Sequence, residues 1–510
     1  GRTGMVARVT SQAQQSNSLK NIFRITENLF KTQQEIASGK RINKPSDDPA
    51  GLRDALSLRT SIARSNQFVR NVDNNRIYLQ SGESAIDSVN INLVRAKELA
   101  IQSMGALGTA ETRGYAVNEI DQIIDQTFES ANIKVKNQYV FAGTAFRTQP
   151  FDQSASGAVY LGNSDRFEIA VGTSTNSDFT LTGSETFAND LDPKLTKATE
   201  LASLNGGSGV TSGAITITDR SGLKATVQIT STDTIDTLTH RINTAGINVS
   251  ASINSRGTGL QLTDNSSVIS HALTVSEVSG GSTALELGIL GQRDGNISGS
   301  NLNPGITSET LISDLKNGNG LALDQISISN GTASGTVTLS SAKTIGDVIN
   351  FINDSSLNVT ASINSASNSL LVNSKNSSTV AIVKNIGTDE TAENLGLGGG
   401  KNIFTTLFKL RDALKSNDTF AIQASLENLH SSEISLNNNR AIIGAKISGV
   451  DAKVVVHDQD VMNNLEQLSN IEDTDAVKSI ADLANLQFAL QATLGSTAQV
   501  LQPTLLDFLR

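Results

Sequence analysis

Lys44-Pro45-Ser46-Asp47-Asp48-Pro49 marks the start of a helix that the rest of the chain has to accommodate. Asp47 or Asp48 can accept from the first free amides of a helix, and Pro49 suits the first helical position because it has no N–H to leave unpaired. After Pro49 no proline occurs until Pro150. Val72, Leu79, Ile86, Leu93 and Ala100 recur every seven residues, and Val89 and Ala96 add the offset of three. This narrow apolar seam calls for another helix rather than a broad core. A helix from Asp48 to Ser103 would be about 80 Å long at its standard rise, too long for a compact globule.

The flanking segments are the candidates to cover it. Ile22, Ile25, Leu29 and Ile36 give residues 5–45 a helical spacing, with Gly39 as the stop. Met104–Thr109 breaks the long helix, with Thr109 as the next N-cap. A third helix is expected from about 110 to 136, on Val117, Ile120, Ile124, Ala131 and Val135, folded back as an antiparallel hairpin. The aromatic stretch from Tyr139 to Phe151 reads as a packed corner where helices give way to sheet. After Gly398-Gly399-Gly400 the helical period returns. Phe404, Leu407, Leu410 and Leu414 open one helix. Ile447, Val454, Val461, Leu465 and Leu468 open a second, which Leu483, Leu486, Leu490, Leu494, Leu501, Leu505 and Phe508 continue, with a kink expected at Pro503.

Between the helical ends, from about 152 to 400, Ser, Thr, Gly and Asn dominate and the apolar period falls to two. Residues 214–218, 225–230 and 336–339 read as strands with one wet face. The block also repeats itself. Asn248-Val-Ser-Ala-Ser-Ile-Asn254 returns as Asn358-Val-Thr-Ala-Ser-Ile-Asn364, and 12 of the 30 positions in 234–263 are identical to those 110 residues on, enough to read as a duplicated α+β module with a short helix at about 234–245 and 344–354. The expected fold class is therefore α+β and multidomain: a terminal α-helical coiled-coil or bundle rod, with an inserted β-rich region containing two repeated α+β modules. The expected division is 5–45 with 470–510 as terminal helices, 46–150 with 401–469 as a rod, 151–212 as a β-rich segment, 213–291 as the first module, 292–323 as a linker and 324–400 as the second module. Residues 1–4, before Met5, read as a remnant of cloning.

At 510 residues the chain is too long for one core. A net charge of −10 and a pI near 5.1 disfavour nucleic acid or anionic lipid as the partner of the whole chain. Cysteine is absent, so no disulfide, zinc–thiolate or thiol nucleophile is available. No apolar run reaches the eighteen or so residues of a membrane span, and no signal peptide is recognisable, so no membrane insertion is expected and any secretion would use no cleaved signal. The ends differ in charge. Residues 5–45 carry seven cationic side chains against Glu27 and Glu35, net +5, whereas 451–510 carry Lys453, Lys478 and Arg510 against nine carboxylates, net −6, which favours pairing of the two ends. Enzyme chemistry finds little support. His240, His271, His430 and His457 are scattered and read as surface or strand residues. Gly396-Leu-Gly-Gly-Gly-Lys401 is similar to a phosphate loop, but Leu395 and Asn402 stand where a glycine and a hydroxyl are needed. No enzyme activity, cofactor or metal is expected.

Ile36-Ala-Ser-Gly-Lys-Arg-Ile-Asn-Lys-Pro-Ser-Asp-Asp-Pro-Ala-Gly51 resembles the N-terminal signature of the bacterial flagellin superfamily. Its Lys-Pro-Ser-Asp-Asp-Pro form is closer to the hook-associated members that make the hook–filament junction than to filament flagellin. Tyr139-Val-Phe-Ala-Gly-Thr, Pro150-Phe151 and the ending Val500-Leu-Gln-Pro-Thr-Leu-Leu-Asp-Phe-Leu509 point the same way, and the duplicated modules are similar to insert repeats of some flagellins and hook-associated proteins. The resemblance covers both helical ends, about half the chain. It implies a non-enzymatic, extracellular subunit of the flagellum, exported unfolded by the flagellar type III apparatus with an export chaperone. Its partners would be an adjacent hook-associated protein, flagellin and copies of itself in a ring. Filament flagellin is the alternative, and a surface adhesin with a carbohydrate-binding insert is a second. The expected functional residues are assembly residues: Val72, Leu79, Ile86, Val89 and Leu93 on the rod seam; Ile22, Ile25, Leu29, Leu494, Leu501, Leu505 and Phe508 in an inner tube; and Asp47, Asp48 and Pro49 at the helix cap. The terminal helices are expected to be disordered until assembled.

Overall fold

A computed structural model describes residues 3–106, 108–154 and 157–501. The chain divides into two compact units, one made of Gly1–Val72, Ala170–Thr175 and Asp451–Arg510, the other of Asp73–Ile169 and Asn176–Val450. Its principal helices are α1 (Thr3–Ser38), α2 (Pro49–Met104), α3 (Ala110–Ala131), α4 (Ile235–Asn243), α5 (Ile345–Asn353), α6 (Ile403–Lys415), α7 (Thr419–Glu472) and α8 (Ala476–Leu501).

The helical part of the second unit is built on two seven-residue repeats. On α2, Leu79, Ile86, Val89, Leu93, Ala96 and Ala100 are buried. On α7, Ile422, Leu429, Leu436, Ile443 and Val450 are buried at the same spacing. Polar pairs flank the seam and set its direction: Lys97 meets Glu433 at 2.9 Å, and Arg440 meets Asp87 at 2.6 Å. As the α2 number falls the α7 number rises, so the helices run antiparallel. Asp418 starts α7 by accepting from Ala421 N at 3.1 Å, and its other oxygen accepts from Val380 N at 3.0 Å.

The third helix is shorter than its apolar spacing suggests. Thr109 caps it in a reciprocal box with Thr112, and it stops at Ala131. Lys136 and Asn137 adopt positive φ, which turns the backbone, so Val135 is buried from a two-residue strand rather than from the helix. Arg95 on α2 reaches Glu119 on α3 at 2.5 Å, consistent with the hairpin. The Tyr139–Phe151 stretch is a packed corner. Phe141 and Phe151 are fully buried, with Phe128 and Phe404 stacked at 4.4 Å, Phe151 and Phe404 at 5.0 Å, and Phe141 and Phe187 edge-on at 4.8 Å.

The insert runs twice through one order of elements. Strands β1 (Gly213–Thr218), β2 (Lys224–Ile229), β3 (Val249–Ile253), β4 (Leu260–Asp264) and β5 (Leu273–Glu277) surround α4, and β6 (Gln325–Asn330), β7 (Ala333–Thr338), β8 (Val359–Ile363), β9 (Leu370–Ser374) and β10 (Ala381–Lys384) surround α5. In the first stretch β1 lies between β2 and β5 while β3 pairs with β4; in the second, β6 lies between β7 and β10 while β8 pairs with β9, all antiparallel. Side-chain bonds recur at the same offset. Asn243 Oδ1 accepts from Ala251 N, and Asn353 Oδ1 from Ala361 N, each at 2.6 Å. Thr234 and Thr344 cap α4 and α5 in reciprocal boxes. One tie differs in polarity. Asp219 Oδ2 accepts from Asn248 N, whereas the Asn330 carboxamide donates to the carbonyls of Leu357 and Asn358. Each stretch encloses its own apolar core, one centred on Ile215, Leu238 and Leu262, the other on Ile326, Val348 and Val372.

Truncating the α7 seam should cost far more than truncating its exposed face. Leu436→Ala is expected to lose about 2–5 kcal/mol of stability by urea denaturation, and Phe420→Ala about 0.5 kcal/mol or less, because Phe420 is exposed.

Candidate assembly site

The first unit contains the cap residues and the described part of the terminal helices. Asp48 is the residue that caps α2: its Oδ1 accepts from Gly51 N at 2.9 Å, with Pro49 in the first helical position. Asp47 instead closes the loop before it, Oδ2 accepting from Lys44 N at 2.8 Å and Asn43 N at 3.1 Å. Those two amides hold the Asp47 carboxyl below its ordinary pKa, and the Gly51 amide with the Arg41 guanidinium does the same for Asp48.

Opposite this loop α7 ends at Glu472, whose carboxylate is only 3% exposed. Its Oε2 accepts from Lys40 Nζ at 2.8 Å and from Arg59 Nη2 at 2.6 Å. The backbone is tied in as well: Arg41 N donates to Glu472 O at 2.6 Å, and Thr474 N donates to Gly39 O at 3.0 Å. Gly39 has φ +68°, a conformation disfavoured for side chains with a Cβ, and it turns the chain out of α1. Burial alone pushes the Glu472 carboxyl up, but the hydrogen bonds from Lys40 and Arg59 outweigh it and leave the pKa below its ordinary value. A second tie holds the short segment Ala170–Thr175. Asn71 Nδ2 donates to Ala170 O at 3.1 Å, and His457 Nε2 lies 2.8 Å from Val171 O with its ring 5.2 Å from that of Phe68.

The interruption at 473–475 departs from the single continuous helix expected over the C-terminal segment. Asp475 starts α8 by accepting from Lys478 N at 3.0 Å, and the polar run Glu472–Asp475 is occupied with ties to residues 39–41 rather than with helix continuation. His240 and His430 are exposed on helices, His271 is exposed outside the strands, and His457 is half-buried on α7.

Beyond that turn α8 packs along α1. Their contact is poorly closed. Among the described residues of the pair the buried side chains are small and polar, Thr32, Ser479 and Thr497. Ile22, Ile25 and Leu29 are half-buried and Leu494 is 50% exposed. Phe23 and Phe30, seven apart on α1, are 71% and 65% exposed, and Phe488 on α8 is 74% exposed. Two helices cannot cover such faces by themselves, so this pair presents apolar surface that further helices could bury. Val72 is buried in this unit, while Leu79, Ile86, Val89 and Leu93 are buried in the other. The Leu501 side chain, Leu505, Phe508 and the kink expected at Pro503 lie outside the described residues. Of the apolar set expected on the second C-terminal helix, Ile447, Val454, Val461 and Leu468 are half-buried and Leu465 is exposed. The buried stripe from Ile422 to Val450 escaped the sequence reading, though its seven-residue recurrence was available to find it.

Asn402, in the segment similar to a phosphate loop, is buried and structural. Its Oδ1 accepts from Asn189 N at 2.9 Å, and its Nδ2 donates to Glu393 O and Gly398 O, each at 3.0 Å. Among the described residues no group of three or more His, Asp or Glu side chains could hold a metal ion, and no helix is long and apolar enough to cross a membrane.

The first unit thus presents a pair of helices with open apolar faces. Comparison with known proteins bears on the N-terminal part of the chain. Residues 9–145 match the family described as the bacterial flagellin N-terminal helical region. The chain is 28% identical over 187 residues to flagellin of Clostridium tyrobutyricum, spanning 36% of this chain and 47% of that protein. It is 26% identical over 153 residues to flagellar hook-associated protein 3 of Salmonella typhimurium, spanning 29% and 48%. The chain thus spans less than half the length of these curated relatives. A crystal structure of flagellar hook associated protein-3 from Legionella pneumophila overlays 81% of this chain and 98% of that one at 16% identity, with a TM-score of 0.38, an overlay too loose to carry an argument. Over residues 9–145 the chain is thus similar to the bacterial flagellin N-terminal helical region.

The Glu472 tie should be acid-labile. Its folded-state pKa is depressed, so its stabilisation is full above the unfolded value and drains as pH falls through the folded one. Between about pH 5 and pH 3 the 39–48 loop should become markedly more susceptible to an acid-active protease, and Glu472→Gln should flatten that dependence. An unchanged pH profile in the variant would remove Glu472 from this role.

Proposed function

We propose that this chain is a structural subunit of the bacterial flagellum, placed at the junction between hook and filament and assembled through its terminal helices. The half-closed α1–α8 pair, with Phe23, Phe30 and Phe488 exposed, is the observation that carries this reading. Apolar faces of that extent suit burial against the same helices of neighbouring copies. The Lys-Pro-Ser-Asp-Asp-Pro cap and the likeness to a protein named flagellar hook-associated protein 3 support the junction position. The partners in this reading are an adjacent hook-associated protein, flagellin and copies of this chain. Delivery is by the flagellar type III apparatus with an export chaperone, to the cell exterior. The duplicated order of elements in 213–277 and 325–384 supports two copies of one module in the insert. Filament flagellin is the second reading, favoured by the likeness to the Clostridium flagellin over 187 residues.

A charge placed at the C-terminal end of the seam separates assembly from folding. Leu501→Asp should leave the secreted monomer soluble and normally folded by circular dichroism yet reduce its recovery in purified flagella at least about tenfold, because a buried unpaired carboxylate costs several kcal/mol. Recovery equal to that of the natural chain would refute the terminal-helix assembly reading.

A further inference from the structure

Two insert segments 127 positions apart in sequence cross in the second unit. Lys316 N donates to Leu191 O at 2.8 Å, and Asn317 N donates to Asp192 O at 2.7 Å. Asp192, Lys316 and Asn317 all have positive φ, a conformation disfavoured for residues with a Cβ. The Lys316 side chain bonds to a carboxamide and a main-chain carbonyl rather than to a carboxylate: Nζ is 2.5 Å from Asn189 Oδ1 and 2.5 Å from Asp190 O. The Asn189 carboxamide is held from both sides, its Oδ1 accepting from Lys316 Nζ and its Nδ2 donating to Asn394 O, and the Asn189 backbone N donates to Asn402 Oδ1. Asn189, Asp190 and Asp192 are buried, and Asp190 Oδ2 is enclosed with no hydrogen-bond partner.

We propose that Lys316 and Asn189 form an intramolecular isopeptide cross-link, with Asp190 as the acid that relays the proton. Nζ, as the free amine, attacks Asn189 Cγ and a Cγ–Nζ bond forms. A proton passes from Nζ through the Asp190 carboxyl to Nδ2, the Cγ–Nδ2 bond breaks, and ammonia leaves. Nothing is oxidised or reduced, and no co-reactant is needed. Holding amine and carboxamide together supplies the high effective concentration that amide exchange lacks in solution. The surroundings favour the required protonation states. Burial lowers the Lys316 pKa toward the free amine, and burial pushes the Asp190 carboxyl up to about 6, nearer to carrying the relayed proton.

Mass spectrometry of the full folded chain tests this. The cross-linked protein should be lighter than its sequence mass by about 17 Da, the mass of one ammonia. Trypsin cannot cut at a linked Lys316, so residues 167–194 and 294–343 should emerge as one joined species. Asn189→Ala and Asp190→Asn should each restore the mass expected from their own sequence and release the two peptides separately. The full sequence mass in the natural chain would overturn the proposal. So would a loss of ammonia with the two peptides separate, which is the signature of a succinimide at Asn189.

Discussion

In the second unit the antiparallel contact between α2 and α7 constrains the structure most. Each helix buries a narrow stripe built on a seven-residue recurrence, from Leu79 to Ala100 on one and from Ile422 to Val450 on the other. A stripe that narrow suits a second stripe of the same period better than a sheet or a loop. Burying each leucine, isoleucine or valine of those stripes contributes about 1.5–3 kcal/mol, whereas the flanking pair Arg440–Asp87 is partly exposed and contributes little. The apolar seam therefore supplies stability, and the charges set direction and register. The aromatic corner and the insert attach to that frame through α3, α6 and the start of α7.

Much of this was legible because the patterns are long. The seven-residue recurrence on α2, the Asp48–Pro49 start, the Thr109 cap and the switch from helix to alternating strands are local chemistry repeated over many residues. The misreadings have local causes. Val135 continues the apolar spacing of α3, but Lys136 and Asn137 turn the chain, and spacing alone cannot register a left-handed turn. Asp473-Thr474-Asp475 reads as an acidic stretch of helix, whereas the backbone there is occupied by residues 39–41, more than 400 positions away. The α7 stripe was obscured because Ser425 and Ser432 occupy the companion positions where an apolar residue would have widened the signal. Asn189 and Lys316 carried no motif at all, because a cluster made by two crossing segments leaves no trace in spacing.

The first unit inverts the logic of the second. Among its described residues the Glu472 carboxylate is closed in between Lys40 and Arg59, while apolar faces of α1 and α8 remain open. A buried, satisfied carboxylate fixes where loop 39–48 and the end of α7 meet, and the open faces are left to be covered by something else. That division, a fixed joint beside uncovered helices, suits a subunit whose terminal helices complete their packing in an assembly.

Immunogold labelling of intact flagella with antibody raised against residues 152–400 reads out where the molecule sits. A junction subunit gives gold confined to a single band where hook meets filament. Gold along the whole filament would make the chain a filament subunit and contradict the junction reading, and gold on the cell body with none on flagella would contradict a flagellar role altogether.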